Sequence, residues 1–357
     1  MSPVQPPALV LVTGANGYVA SWVVHNLLHK GFSVRATVRS HGKGKHFAEE
    51  GSWSKPFFDD GKLEVVVVED ITKEGAFDDA VKGVDAIEHT ASPVTLNADD
   101  PQELIVPAVN GTLNVLKSAL KIGSIKRVVI TGSCASIVEI LPQPKVFNES
   151  DWDEQAIREV NEMGRGARPM LKYRASKTLA EKAAWDWYKE HKSKIDWDLV
   201  VLNPPYVFGP TIQAVSTPKD LGASMLDLHN TIFVPGYKSK EGLYASSSYV
   251  DVRDLGEAHV RALLRDEAGG ERIIISSVDV AHSLEPNPIP SHPDLHKGFP
   301  YETEKPVYMI RYDGTKAGKL LHMGSWEAPE GVSDWYRLKG KEEITRDVLA
   351  DCERRGW

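Results

Sequence analysis

Ala8-Leu-Val-Leu-Val-Thr13-Gly14-Ala-Asn16-Gly17-Tyr18-Val19-Ala20 is the stretch that decides the fold. Its first six residues are a short apolar run, the pattern of a strand buried on both faces. Gly14 follows at once, where a tight turn favours a residue without Cβ. Trp22, Val23, Leu27 and Leu28 then recur at helical spacing until Gly31. A strand, a glycine turn and a helix in direct succession make an anion site, because the first turn of a helix leaves backbone N–H groups without partners. Gly17 lets the backbone approach a pyrophosphate, and small Ala20 permits close helix packing. The pattern is Gly-x-x-Gly-x-x-Ala, a departure from Gly-x-Gly-x-x-Gly.

The alternation continues outward. Phe32–Val38, Leu63–Val68, Val84–Ile87, Arg127–Thr131 and Ile195–Leu202 read as further strands. Helical patterns lie between most of them, the longest from about Pro101 to Ile122. This is the signature of an α/β fold, a doubly wound parallel (Rossmann) sheet that binds its ligand beyond the strands' carboxyl ends. A dinucleotide-binding domain is expected over residues 8–205, with 245–276 returning to it. Residues 206–244 and 277–357 then form a smaller substrate-binding region. In the second half Leu221–His229, Asp254–Arg265, Tyr312–His322 and Lys341–Arg355 read as helices and Arg272–Ile275 as a strand. Thr211–Asp220 and the proline-rich 285–306 read as loop.

Composition narrows the class. The chain has 357 residues, 41% of them apolar, and a net charge of −8 without a lysine/arginine block. That is a globular composition and speaks against a nucleic-acid partner. Cys134 and Cys352 form neither a framework nor a Cys-x-x-Cys pair, which suits a reducing compartment. No signal-peptide pattern opens the chain and no apolar run is long enough to span a bilayer, so a cytoplasmic location without membrane contact is expected.

Two further stretches carry chemistry. The second strand ends in Thr37-Val38-Arg39-Ser40. An acidic residue there suits the ribose 2′-hydroxyl of NAD, whereas an arginine suits a 2′-phosphate. His41 and Lys43 add positive charge, so NADP is the expected cofactor. The second stretch, Pro169-Met170-Leu-Lys-Tyr173-Arg-Ala-Ser-Lys177, reads as a helix start with proline in its first turn. Tyr173 and Lys177, four apart, share a helix face. A fixed ammonium favours the phenolate and so makes the phenol a usable acid. Tyr301…Lys305 and Tyr312…Lys316 repeat the spacing, but Pro306 and Gly314 interrupt a helix there.

Other patterns have plainer readings. His25 and His29 lack the glutamate of a zinc motif and read as surface histidines, as do His292 and His296. Asp151-Trp-Asp-Glu154 reads as a solvated loop, and Trp185, Trp187 and Tyr188 as packing or interface residues.

Seven markers stand in order: Val12-Thr-Gly-Ala-Asn-Gly-Tyr18, Val34-Arg-Ala-Thr-Val-Arg39, Glu69-Asp70-Ile71, His89-Thr-Ala-Ser-Pro93, Val109-Asn-Gly-Thr112, Tyr173-Arg-Ala-Ser-Lys177 and Asn203-Pro-Pro-Tyr-Val-Phe-Gly-Pro210. Together they resemble the extended short-chain dehydrogenase/reductases over about residues 8–265. The branch they resemble is that of dihydroflavonol and cinnamoyl-CoA reductases with fungal aldehyde, methylglyoxal and ketone reductases. The resemblance implies NADPH-dependent reduction of an aldehyde or ketone, with hydride from nicotinamide C4 and a proton from Tyr173. Ser133 would hold the substrate carbonyl, and Lys177 would bind the nicotinamide ribose and lower the tyrosine pKa. Gly14, Asn16, Gly17, Tyr18 and Val19 would meet the pyrophosphate, and Arg39 and Lys43 the 2′-phosphate. Asp70 and Ile71 would touch adenine. Thr90, Ala91, Ser92 and Thr131 would line the cofactor cleft, with Pro204 and Val207 along the nicotinamide.

Two positions depart from the family. Gly132-Ser133 stands where Ser-Ser is frequent, and Glu88 stands where an apolar residue is usual. Glu88 reads as marking the exposed end of its strand. In the related reductases the positions of Val94, Cys134, Met170 and Tyr206 face the substrate. Most are apolar and none is charged, so the expected partner is a small hydrophobic or aromatic carbonyl compound, with a homodimer left open. Two other functions fit this fold: a nucleotide-sugar epimerase or dehydratase, which Arg39 disfavours, and a non-enzymatic dinucleotide sensor, which would have no need of Ser133, Tyr173 and Lys177 together.

Overall fold

The computed structural model describes residues 3–92, 97–239, 241–242, 248–277 and 308–357. In chain order the strands that matter are β1 (Leu9–Thr13), β2 (Ser33–Val38), β3 (Leu63–Val67), β4 (Ala86–His89), β5 (Arg127–Thr131), β6 (Lys145–Phe147), β7 (Asp198–Asn203), β8 (Tyr206–Phe208), β9 (Tyr249–Asp251), β10 (Arg272–Ile274) and β11 (Ile310–Tyr312). Seven of them form one sheet in the order β10-β7-β5-β4-β1-β2-β3. Every pairing in it is parallel. β6 pairs with β11, and β8 with β9, beside the carboxyl ends of the main sheet.

Helices cover both faces, as the apolar runs require. They are α1 (Tyr18–His29), the short α2 (His41–Gly44) and α3 (Lys55–Asp59), α4 (Gln102–Leu120), α5 (Glu154–Met163), α6 (Pro169–His191), α7 (Ala223–Phe233), α8 (Val252–Leu264), α9 (Thr315–Leu321) and α10 (Lys341–Arg355). Val10, Val12, Val34 and Val129 point to α1 and α8, meeting Val23, Leu27, Leu255 and Val260. Leu11, Ile87, Val128 and Val201 point to the other face, where α4 and α6 bring Val115, Leu116 and Ala184. Trp185, Trp187 and Tyr188 belong to that second core. Three polar tips fasten the segment after β8: Tyr18 Oη donates to the carbonyl of Gly209, Trp22 Nε1 to Pro210 and Trp53 Nε1 to Ile212, at 2.8, 2.9 and 3.1 Å. No helix among the described residues is long and apolar enough to cross a membrane.

The structure corrects four readings. The fourth strand is Ala86–His89, two residues later than expected. Asp85 stays outside because its carboxylate accepts the N–H of Leu9 at 2.8 Å. Glu88 is therefore inside the sheet and fully buried, not at an exposed end. Its Oε2 meets Nδ1 of His259 on α8 at 2.6 Å, and His259 Nε2 meets Thr131 Oγ1 at 3.0 Å. Burial raises the Glu88 pKa and His259 opposes the shift. Asp153, expected in a solvated loop, is also fully buried. It accepts the N–H of Ala156 at 2.9 Å, capping α5, and Nε of Arg174 at 2.7 Å. Finally, Tyr312 ends β11, and α9 starts only at Thr315, whose N–H bonds the Asp313 side chain at 2.9 Å.

His25 and His29 stack at 4.0 Å between ring centroids and meet Trp53 and Phe57 edge-on, forming an aromatic ledge. His292, His296, Tyr301 and Lys305 lie outside the described residues.

Arg127 and Asp198 join β5 to β7 in a buried bidentate pair, with N···O distances of 2.5 and 2.8 Å. Arg127 Nη1 also donates to the carbonyl of Ala262 in α8. Asp198→Ala leaves that guanidinium buried without its counter-charge. It should cost about 3–5 kcal/mol of unfolding free energy in a urea titration. A loss within a few tenths of a kcal/mol would contradict the pair's structural role.

Candidate active site

The glycine turn after β1 has the shape its sequence demands. Gly14 has φ +63°, and a Cβ there would stand 3.1 Å from Cα and Cβ of Ala91. The turn is tied to the end of β2: Gly14 N–H meets Thr37 Oγ1 at 3.2 Å and Ala15 N–H meets the Thr37 carbonyl at 2.9 Å. α1 starts at Tyr18, so the N–H groups of Tyr18 and Val19 face outward without intrahelical acceptors. Arg39 and Lys43 are exposed beside the carboxyl end of β2. Asp70, after β3, accepts the N–H and hydroxyl of Thr72 at 2.9 and 2.6 Å, which lowers its pKa. Ile71 packs against Gly111 of α4.

Thr13 closes the floor of the cleft. Its Oγ1 accepts the N–H groups of Thr90 and Ala91, each at 3.1 Å. Its own hydroxyl hydrogen is then left for Nδ1 of His89, 2.9 Å away. That donor count puts the imidazole hydrogen on Nε2. Burial, with Lys177 nearby, holds the His89 pKa at about 3, so the ring is neutral. Residues 90–92 are thereby laid across the ends of β1 and β4.

Ser133, Tyr173 and Lys177 come together beyond the end of β5. Ser133 follows the strand and its Oγ accepts the N–H of Ala135 at 3.1 Å. The same hydroxyl lies beside the Tyr173 phenol and opposes part of its pKa shift. Lys177, one turn along α6, donates to Ser92 Oγ at 3.1 Å, and its Nζ lies 5.9 Å from the centre of the Tyr173 ring. Burial raises the Tyr173 pKa, against a lowering by Ser133. The net direction is upward, against the lowering expected from Lys177. Burial lowers the Lys177 pKa to about 8, with Glu181 opposing.

The remaining expected residues fall in different places. Pro204 and Val207 are buried beside the β5 turn, and the Pro204 carbonyl accepts the N–H of Cys134 at 2.9 Å. Met170 and Tyr206 are 44% and 41% exposed, and the Tyr206 ring lies parallel to Phe208. Cys134 turns into the core, where its Sγ donates to the Asn203 carbonyl at 3.2 Å among Ile137, Val138 and Phe147. Val94 lies outside the described residues.

Behind Ser133 stands a polar group that the sequence did not announce. Asn203 Nδ2 meets the Ser133 carbonyl at 3.2 Å and Glu181 Oε2 at 2.9 Å. Glu181 Oε1 accepts from Arg272 Nε at 2.5 Å. Asn203 also accounts for Gly132: a Cβ there would stand 2.7 Å from Nδ2, so a serine has no room. The one available signal was the spacing Tyr173-Lys177-Glu181, an acid a further turn along the same face.

The chain belongs to the NAD dependent epimerase/dehydratase family, whose model matches residues 10–276. Within its extended short-chain dehydrogenase/reductase group, several relatives are reductases. It is 33% identical over 332 residues to the ketoreductase azaE of Aspergillus niger, covering 88% of this chain and 92% of that protein. It is 32% identical over 277 residues to the NADPH-dependent methylglyoxal reductase GRE2 of Saccharomyces cerevisiae, covering 75% and 77%. The structure of Gre2 from Candida albicans in complex with NADPH superposes with a TM-score of 0.78 at 28% identity, over 98% of this chain and all of that one.

Proposed function

We propose that this protein is an NADPH-dependent carbonyl reductase that converts an aldehyde or ketone to an alcohol. The observation that carries this reading is the meeting of Ser133, Tyr173 and Lys177 at the carboxyl end of β5. The named relatives, a ketoreductase and a methylglyoxal reductase, support it.

The cleft's residues fit the cofactor. The turn from Gly14 through Asn16 and Gly17 to Tyr18 and Val19 offers backbone N–H groups to the pyrophosphate, and the missing Cβ of Gly14 leaves room between β1 and Ala91. Arg39 and Lys43, exposed beside the carboxyl end of β2, would meet a 2′-phosphate. Asp70 and Ile71 border the adenine end, and Thr90, Ala91, Ser92, Thr131, Pro204 and Val207 the nicotinamide end. Lys177 and Tyr173 hold the nicotinamide ribose. Bound there, NADPH supplies the hydride.

The protein's own part is to hold the substrate oxygen and deliver a proton. Ser133 and Tyr173 donate hydrogen bonds to that oxygen, which are strongest when negative charge builds on it. Because burial raises the Tyr173 pKa, the phenol carries its proton at neutral pH and gives it to the forming alkoxide. Lys177 stabilises the phenolate left behind. Its folded pKa of about 8 means the ammonium is present at neutral pH and lost as pH rises through that value. Met170, three residues before Tyr173 on α6, and Tyr206, two after Pro204, are exposed apolar and aromatic side chains, which would suit a hydrophobic or aromatic carbonyl compound.

NADPH oxidation against aldehydes, ketoesters, diketones, a dihydroflavonol and a cinnamoyl thioester tests the activity, and silence across the panel would refute it. Tyr173→Phe should lower kcat by about 10²–10⁴ while NADPH affinity stays within a few-fold. Near-normal turnover by this variant would remove the tyrosine from the mechanism. Arg39→Ala should weaken NADPH by roughly 1.5–3 kcal/mol, as for a lost charge-assisted hydrogen bond, and leave NADH nearly unchanged. Equal loss for both cofactors would make Arg39 structural.

A further inference from the structure

Glu181 is a buried carboxylate, 5% exposed, four residues beyond Lys177 and eight beyond Tyr173 on one face of α6. A buried acid needs partners that satisfy both oxygens and balance its charge. Oε1 accepts from Arg272 Nε at 2.5 Å. That guanidinium is fixed in turn: it stacks 3.5 Å over the Trp152 ring, and Nη1 donates to the carbonyls of Glu149 and Asp151 at 2.7 and 3.1 Å. Oε2 accepts from Asn203 Nδ2 at 2.9 Å and from the Ser136 hydroxyl. Asn203, with two amide hydrogens, also donates to the Ser133 carbonyl at 3.2 Å, and the single hydroxyl hydrogen of Ser136 is shared between Glu181 and the same carbonyl, 2.7 Å away. One carboxylate therefore holds the two groups that hold the Ser133 turn. It shares with Lys177 the wall of a cavity of about 20 Å³, alongside His89, Ser92 and Thr112.

We propose that Glu181 is a positioning residue for the reaction, fixing the Ser133 turn onto the α6 face that bears Tyr173 and Lys177 and placing a negative charge one helical turn from the Lys177 ammonium. This rests on the reading that those three side chains act together. The groups around the ammonium leave that second task to Glu181. From β4 and the segment after it come neutral His89 and Ser92, and from α6 come Tyr173 and Glu181. Beyond Glu181 lie Arg272 on β10, the Cys134 thiol after β5 and Glu149 in the loop before α5. The Glu181 carboxylate pulls the lysine up against burial. A spacer that merely filled space would do neither task.

The test follows the Lys177 ε-carbon by NMR on ¹³C-lysine-labelled full-length protein, with Lys177→Met to assign the signal. Glu181→Gln keeps the shape and removes the charge. Its Lys177 titration should move down by about one pH unit, the scale of a nearby opposite charge. Arg272→Gln frees Glu181 of its counter-charge and should move the same titration up. In turnover, Glu181→Gln should lower kcat at neutral pH at least tenfold with KM for NADPH within a few-fold, and Glu181→Asp should recover part of it. Unmoved titrations in both variants, or activity lost only in proportion to unfolded protein, would overturn the proposal. If Glu181→Gln does not fold, the Arg272→Gln shift alone decides it. Wild-type protein silent toward every carbonyl compound of the panel would instead refute the reductase reading on which it rests.

Discussion

Desolvation along one face of α6 sets the chemistry of this site. Burial disfavours charge on any group, and Tyr173 and Lys177 meet that pressure from opposite sides. The phenol is driven toward its neutral, proton-bearing form, and the ammonium is driven down to about 8. The proposed reduction, which delivers a proton at neutral pH, is served by both results. The phenol has a proton to give, and the cation is still present to stabilise what remains. The hydrogen bond from Lys177 to Ser92 and the charge of Glu181 offset part of the cost of that buried cation.

The rest of the fold positions this face. The sheet brings the ends of β1, β4, β5 and β7 side by side, and the turns after them supply Gly14, Ser92, Ser133 and Pro204 from four separate parts of the chain. Thr13 joins the first two through the backbone of Thr90 and Ala91, and Asn203 joins the last two through the Ser133 carbonyl. On the opposite face of the sheet the Glu88–His259–Thr131 chain anchors α8 beneath the same strand end. These buried polar groups are linked through one another, although Glu88 Oε1, His89 Nε2 and Asn203 Oδ1 find no hydrogen-bond partner among the described residues, so the turns are held by networks and not by single contacts.

Much of this was legible in the sequence because the signals were local. The strand, turn and helix from Leu9 to His29, the strand Arg127–Thr131 and the helix Lys341–Arg355 are written in runs of neighbouring residues. So was the spacing of Tyr173 and Lys177. What escaped depends on partners far along the chain. Glu88 looked misplaced because the histidine that satisfies it is 171 residues away. Asp153 looked solvated because Arg174 is 21 residues on, and the role of Glu181 requires Arg272, 91 residues on. Cys134 adjoins Ser133 in sequence, yet a tight turn over Cys134–Ser136 sends its side chain inward. The upward direction of the Tyr173 shift escaped for a related reason: residue spacing registers a neighbouring charge but not the depth of burial.

The most direct test of the central claim is a spectrophotometric titration of phenolate absorbance in the cofactor-free protein, wild type minus Tyr173→Phe. The difference isolates one phenol among the eleven tyrosines of the chain. The account predicts no phenolate from Tyr173 until the pH is above its ordinary value of 10.0. A midpoint between about 7 and 8 would contradict it, since the neighbouring ammonium would then have overcome burial.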